Sequence, residues 1–292
     1  MAPLHWIIPA LLTAFFTASQ DAWVKRHFSH LTVYDMLAFP MAYSLPLFGL
    51  FFPLIAVPEI DKDFVVYVLF CIPVNGLGFL LHMRAIQLSP LSLTLPYLAF
   101  TPMFIFFTGF IILGEVPNGW GVLGVCIIVA GGYVLNLDPA VYSPLAPLKA
   151  FGREKGSVMM LMVALIYGFG AVIGKKAILH SSVLFFTVSF FMGFNVCFLS
   201  GLLLLRRIRL LRLIEEPFKG MVSGGLLFAH AICHGWAISL TKAVYMIAVK
   251  RISILIGIIY GGVFFHEQQM IYRLLGAGLM IFGAALVSLK GH

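Results

Sequence analysis

The chain has 292 residues, 61% of them hydrophobic and only 10% charged, with a mean hydropathy of +1.04 and a formal net charge of +8. A soluble domain carries about a quarter charged residues, so that class is excluded. The basic residues fall mainly between apolar stretches and form no soluble stripe, which excludes a nucleic-acid footprint and leaves no nucleic-acid partner to expect.

Apolar runs of about twenty residues, each long enough to cross a ~30 Å hydrocarbon core as a helix, recur along the whole chain. Ten fit, at roughly 4–24, 33–56, 64–84, 90–113, 118–137, 157–178, 182–205, 218–239, 243–265 and 271–289. The first has no basic leader and has a counterpart later in the chain, so it reads as a retained span and not as a signal peptide. The expected fold class is all-α integral membrane, multi-pass, in a plasma or inner membrane. The four cysteines (Cys71, Cys126, Cys197, Cys233) lie singly inside spans and read as small buried hydrophobes.

Two connections are long. Residues 138–156 (DPAVYSPLAPLKAFGREKG) are polar and Pro-rich and read as a linker. Residues 206–220 (RRIRLLRLIEEPFKG) interleave leucines with basic side chains. The segment Arg206–Lys219 reads either as a surface-lying strip drawn to anionic membrane lipids or as a solvated loop.

Sliding the chain on itself by 152 residues superposes Ala85, Ile86 and Leu88 on Ala237, Ile238 and Leu240, and His82 on His234. The same shift places Gly109 on Gly261, Glu115 on Glu267, Gly124 on Gly276 and Gly131 on Gly283. Glutamate is scarce in this chain, so its match carries weight. Five spans separate the matched elements, and five is odd, so the two halves must sit upside down relative to each other. The expected organisation is therefore two five-helix inverted repeats, 1–137 and 157–292, joined by the linker 138–156. Fourteen of the fifteen prolines precede residue 148. That points to a first half whose helices bend, at Pro96 and Pro102 among others, and a stiffer second half.

LSPLSLTLPYLAFTPMFIFFTGFIILGE (88–115) and GWGVLGVCIIVAGGYVL (119–135) resemble the EamA family of the drug/metabolite transporter superfamily. ALIYGFGAVIGKKAI (164–178) and HEQQMIYRLLGAGLMIFGAALVSL (266–289) are similar to a second copy of the same domain. The resemblance covers nearly the whole chain. It rests on a proline in the fourth span, a helix-end glutamate and a G-x6-G spacing. It implies ten helices in an inverted repeat that export or exchange a small metabolite through a central cavity, and no cofactor. One departure stands out: Asp21 occupies the place where the family's first helix usually ends in a lysine, while Lys175 keeps that place in the sixth span. A narrower similarity, to sugar-phosphate translocators, lies in the Lys250-Arg251 pair. Those proteins also carry a lysine in the fourth span, where this chain has Leu98.

Lys250 and Arg251 are the sharpest feature. Lys250 lies about 10 Å into its span at 1.5 Å per residue, and each buried charge costs roughly 2.5–3.5 kcal/mol on an insertion scale. None of the eleven acids falls in the middle of a predicted span; Asp21 sits near a helix end, where it is expected to pair with Lys25 at i,i+4. With no internal counter-ion, the pair is expected to face a wet cavity and to be completed by an anionic solute bearing a carboxylate or phosphate. The alternative is that Lys250 snorkels and Arg251 bonds backbone carbonyls. His82 and His234, as repeat mates, are expected to line the same cavity or to pack against neighbouring helices. Asn75, Tyr97 and Asn195 offer uncharged hydrogen bonds, either to solute or between helices. HAICH (230–234) sets His230, Cys233 and His234 at a spacing metals accept, with no fourth ligand in sight. Lys175 and Lys176, near a helix end, are expected to snorkel.

These readings converge on a secondary transporter working by alternating access on a small, anionic solute, with an exporter of neutral or zwitterionic amino acids as the alternative. No nucleophile set, complete metal set or cofactor loop is present, so an enzyme is not expected; a non-transporting receptor is disfavoured by the repeat. Twelve basic residues fall on the side opposite the termini and five on the terminal side. Charge therefore places the termini outside the cytoplasm, whereas the resemblance implies the reverse.

Overall fold

In the computed structural model, residues 4–114, 118–135, 155–267 and 270–290 are described; Glu115 and most of the 138–156 linker lie outside them. The described residues form helices and no strands, as lipid demands of a chain that must satisfy its backbone internally. In order they are α1 (Ile7–Phe28), α2 (Val33–Phe51), α3 (Lys62–Leu88), α4 (Leu91–Thr94), α5 (Thr101–Leu113), α6 (Gly119–Leu135), α7 (Lys155–Leu179), α8 (Val183–Leu204), α9 (Leu210–Leu213), α10 (Pro217–Leu240), α11 (Ala243–Lys250), α12 (Ile252–Phe265) and α13 (Met270–Lys290). Among the described residues, eight helical stretches are long and apolar enough to cross a membrane. Two shorter apolar helices, Gly119–Val134 and Arg273–Leu286, stand where the fifth and tenth spans are expected. The protein is a multi-pass integral membrane protein.

Two of the spans are interrupted. The fourth runs as α4, a 3-10 stretch over Leu95–Phe100, and α5. Pro96 and Pro102 stand in the first turns of the latter two segments, where a missing N–H is tolerated. The ninth breaks at Arg251, between α11 and α12, with no proline involved. Arg251 N–H is shared between the carbonyls of Ile247 at 3.1 Å and Ala248 at 3.2 Å. The sequence assigned bending to the Pro-rich first half, yet the second half breaks at Arg251, the residue that the 152 shift places on Ala99 of the 3-10 stretch.

Helix ends left open by these connections are closed by charged side chains. Lys25 Nζ donates to the carbonyls of Ile86, at 2.9 Å, and Ser89 at the C-terminus of α3. Lys175 Nζ donates to Thr241 O, at 2.6 Å, beyond the C-terminus of α10. Ser89 and Thr241 are 152 residues apart. A cation at these ends also meets the negative pole of the helix. Lys175 therefore does not snorkel; it is buried. Lys25 is committed to α3 and forms no pair with Asp21. Glu267 accepts from the N–H groups of Leu91 at 3.0 Å and Ser92 at 3.1 Å, closing the N-terminus of α4, and stands 3.5 Å from Arg273.

The helices pack in a pattern that the 152 shift exchanges: α1 lies along α10 as α3 lies along α7, and α5 touches α7 as α12 touches α1. Away from these, α6 packs along α13. A Cβ added at Gly131 would stand 2.7 Å from Gly276 O, and one added at Gly283 would stand 2.7 Å from Gly124 O. The G-x6-G spacing is thus a backbone-to-backbone crossing in which each contact is the 152-shifted image of the other.

The basic segment is not a free loop. Ile208 and Leu213 are buried, Tyr43 Oη donates to Leu213 O at 2.8 Å, and Arg212 lies 3.6 Å from Asp35. Leu210, Leu211 and Ile214 instead point outward, at 61%, 73% and 67% exposure, beside exposed Arg206, Arg207 and Arg209.

Replacing Gly131 or Gly283 with Leu is expected to lower the melting temperature of the detergent-purified protein strongly or to abolish its recovery, since backbone cannot move aside as a side chain can; overpacking costs about 1–3 kcal/mol or more. Gly278→Leu, at a position with nothing within 4 Å of an added Cβ, is expected to be neutral. Equal melting of all three would remove the crossing from the architecture.

Candidate functional site

The bundle holds a central cavity of about 170 Å³, walled by α1, α3, α7, α8, α10, the 3-10 stretch, α11 and the break at Arg251. Lys250 and Arg251 line it, and so do His82, His234 and Asn75. Two expected residues do not. Tyr97 is buried in the 3-10 stretch but is not on the cavity wall. Asn195 is fully buried and donates through Nδ2 to Ser44 Oγ at 2.9 Å, tying α8 to α2.

The two cations are treated differently. Lys250 Nζ lies 3.0 Å from His230 Nε2 and 3.4 Å from His234 Nδ1, on α10. An ammonium only donates, so both ring nitrogens must offer lone pairs, which fixes these imidazoles as neutral while Lys250 is charged. Lys250 Nζ is thereby bonded without a counter-ion. This is also why HAICH is no metal set: its histidines are engaged by lysine, and among the described residues Cys233 does not join them at ligand distance. Arg251 is 2% exposed, its Nε has no partner, and among the described residues no carboxylate lies within ion-pair distance of either cation.

The cavity does hold one acid, which the sequence reading had set at a helix end. Because α1 continues to Phe28, about a turn beyond the expected boundary, Asp21 sits nearly two turns inside it and lines the cavity. Asp21 Oδ1 accepts from His82 Nε2 at 2.9 Å, with both side chains buried. His82 Nδ1, on the other side of the ring, has no partner. Tyr167 of α7 lies beside this pair, its ring 5.9 Å from the His82 ring. Asp21, Tyr167 and His230 were missed as site residues. The signal for His230 was present, since a buried ammonium without an acid needs neutral acceptors, and two histidines one turn apart supply them. With Lys175 also on the wall, three basic side chains face one carboxylate that is already bonded.

A second titratable cluster lies apart from the cavity. Asp61, Asp63 and His180 bring their ligand atoms within 4.8 Å of one another at the surface. Asp61 caps α3 by accepting from Phe64 N–H at 2.8 Å and meets His180 Nδ1 at 2.7 Å. Those two bonds, the backbone one first, hold its carboxyl below the usual range.

A helical bundle packed around a cavity that meets the 3-10 stretch of one broken span and the break of the other is the architecture of a polytopic membrane protein. Residues 4–137, somewhat under half of the chain, match the EamA-like transporter family, part of the drug/metabolite transporter superfamily. None of the curated proteins compared with the chain matches it. One solved crystal structure, whose description names no activity, superposes over 97% of this chain and 97% of its own with a TM-score of 0.65 at 12% identity. The fold is shared from end to end.

Arg251→Met is expected to leave the melting temperature unchanged or to raise it, because it exchanges an unpaired buried cation for hydrocarbon of similar length. Lys25→Met, which strips a cap from α3, is expected to lower it, by roughly 1–3 kcal/mol in unfolding free energy. A clear loss of stability in Arg251→Met would instead make that residue part of the scaffold.

Proposed function

We propose that the protein is a secondary transporter that moves a small organic anion by alternating access, with its site at Lys250 and Arg251 and with His82, His234 and Asn75 as further lining. The observation that carries this reading is Arg251: a guanidinium buried to 2% exposure beside a cavity, with an unpartnered Nε and, among the described residues, no carboxylate within ion-pair distance. A native structure bears that cost where function requires it, and a carboxylate or phosphate on the guanidinium fork would supply the missing partner. Lys250 adds a point charge, held in place by two neutral imidazoles. The reading is of a carrier and not of an enzyme.

Alternating access rests on the inverted repeat, read as 1–137 and 157–292. It is supported by the exchanged packing of α1–α10 and α3–α7, by the two interrupted spans at matching positions, and by the paired lysine caps at Ser89 and Thr241. The zwitterionic alternative draws on one observation, the buried Asp21 in the same cavity, which an ammonium group could approach. Asp21 is already bonded to His82 and is outnumbered by cations, so the anionic reading is preferred.

The surface segment Arg206–Lys219 fits an anionic lipid leaflet, since its outward leucines enter acyl chains while Arg206, Arg207 and Arg209 meet headgroups. Wild type is expected to retain phosphatidylglycerol over phosphatidylcholine through purification. The triple change of those arginines to Gln should lose most of that preference; equal retention by both would remove the lipid role.

Transport is tested by counterflow in proteoliposomes loaded with phosphorylated C3–C6 metabolites, dicarboxylates, amino acids and amines. An anion should accumulate with wild type and fall to the level of empty liposomes with Lys250→Ala/Arg251→Ala. Accumulation of neutral or cationic solutes alone, untouched by those changes, would overturn the anionic reading.

A further inference from the structure

One wall of the cavity has no part in the charge argument. Helix α8 presents Phe186, Phe190 and Phe194 to it, at i, i+4 and i+8, so that one stripe of the helix is aromatic. Adjacent rings in the stripe lie 5.4 Å and 5.7 Å apart with interplanar angles of 14° and 17°. The three rings are close to parallel and follow about 12 Å of helix. All three are buried, which places them inside the bundle and not against lipid. Phe191 and Phe79 also border the cavity, and Leu98 supplies hydrocarbon from the 3-10 stretch.

A core built only for packing would leave no open volume beside such rings, because protein interiors fill space to crystal density. Here they border open volume. Some polar groups around the same volume are engaged (Asn75 Nδ2 donates to Cys71 O, Thr17 Oγ1 to Thr13 O, Lys175 Nζ to Thr241 O, and Asp21 accepts from His82), while His82 Nδ1, Thr187 Oγ1 and Arg251 Nε have no partner. A polyhydroxylated body lying along the aromatic stripe would give up water around each hydroxyl and find no hydrogen-bond partner in those rings. A flat apolar body would lie against these rings and give up no hydrogen bond.

Resting on the anionic reading above, we infer that the solute is an amphipathic organic anion: a carboxylate or phosphonate head on Lys250 and Arg251, carrying an aromatic or cyclic hydrocarbon body of one or two rings that lies along the Phe186–Phe190–Phe194 ladder. Sugar phosphates and polyhydroxy acids are selected against. The ladder thus acts as a specificity element and the cations as the anchor.

The test uses pairs of anions that share a head and differ in the body: phenylphosphonate against methylphosphonate, and 3-phenyllactate against gluconate. Each is measured for thermal stabilisation of the purified full chain and for counterflow in proteoliposomes. The phenyl member of each pair should act at about tenfold lower concentration or less, the scale of burying one ring against others. Phe190→Ala should shrink that ratio at least about fivefold. Phe190→Leu, which keeps the bulk but not the flat face, should shrink it partly while melting as wild type does, which separates lost stacking from misfolding. Lys250→Ala/Arg251→Ala should lose both members together. If both members depend on the cations but gluconate or methylphosphonate acts as well as its partner, the ladder has no role in selection and the anionic reading stands alone. If no anion depends on the cations, the anionic reading fails, and this inference with it. Stabilisation by phenylalanine equal to that by 3-phenyllactate would overturn the exclusion of an ammonium-bearing solute.

Discussion

A chain in hydrocarbon must satisfy every backbone donor and acceptor from within, and the arrangement of this protein follows from the places where its helices fail to do so. The fourth and ninth spans are both broken near their middles, and short connections leave helix ends uncovered. Charged side chains close those ends: Glu267 on the N–H groups of α4, Lys25 on the carbonyls of α3, Lys175 on Thr241. Each is an ion doing the work of a hydrogen-bonded turn. These contacts also tie the first half of the chain to itself, the second to itself, and one to the other through Glu267.

Against that economy Arg251 is the exception. Every other buried ion named here has a partner whose geometry explains it, whereas the guanidinium stands at a helix break with its Nε unmet. Lys250, its neighbour, is held by two imidazole nitrogens and no acid. The result is a compartment with Lys250 at the end of α11 and Arg251 at the break beyond it, one carboxylate already engaged on α1, and an aromatic wall on α8. Such a compartment is polar at one end and oily along its side, which is a more restrictive description than polarity alone.

Much of this was legible in the sequence. Span positions followed from apolar run length, and the 152-residue shift found Gly124, Gly131, Gly276 and Gly283 before any crossing was known, because backbone contact admits no side chain and so leaves glycine at both ends. The Lys250-Arg251 pair was legible as an anomaly, since charge among apolar neighbours is costly wherever it occurs. Asp21 was misjudged because a helix boundary was set one turn short, and one turn is the difference between a cap and a cavity wall. Tyr97 was misjudged because nothing in its neighbours reports the rotation of a 3-10 stretch. The aromatic stripe on α8 went unread for another reason: phenylalanines at i, i+4 spacing look the same whether they face a core, lipid or a void, and only the void distinguishes them.

The crossing of α6 and α13 has a mechanical consequence. Where two helices meet through interdigitated side chains, rotamers can yield and the helices can slide. Where carbonyl oxygen meets Cα, as at Gly131 with Gly276 and Gly283 with Gly124, nothing is left to yield. Those two helices are bound to travel as one piece. Neither contributes a described residue to the cavity wall, so the crossing stands clear of whatever the cavity holds.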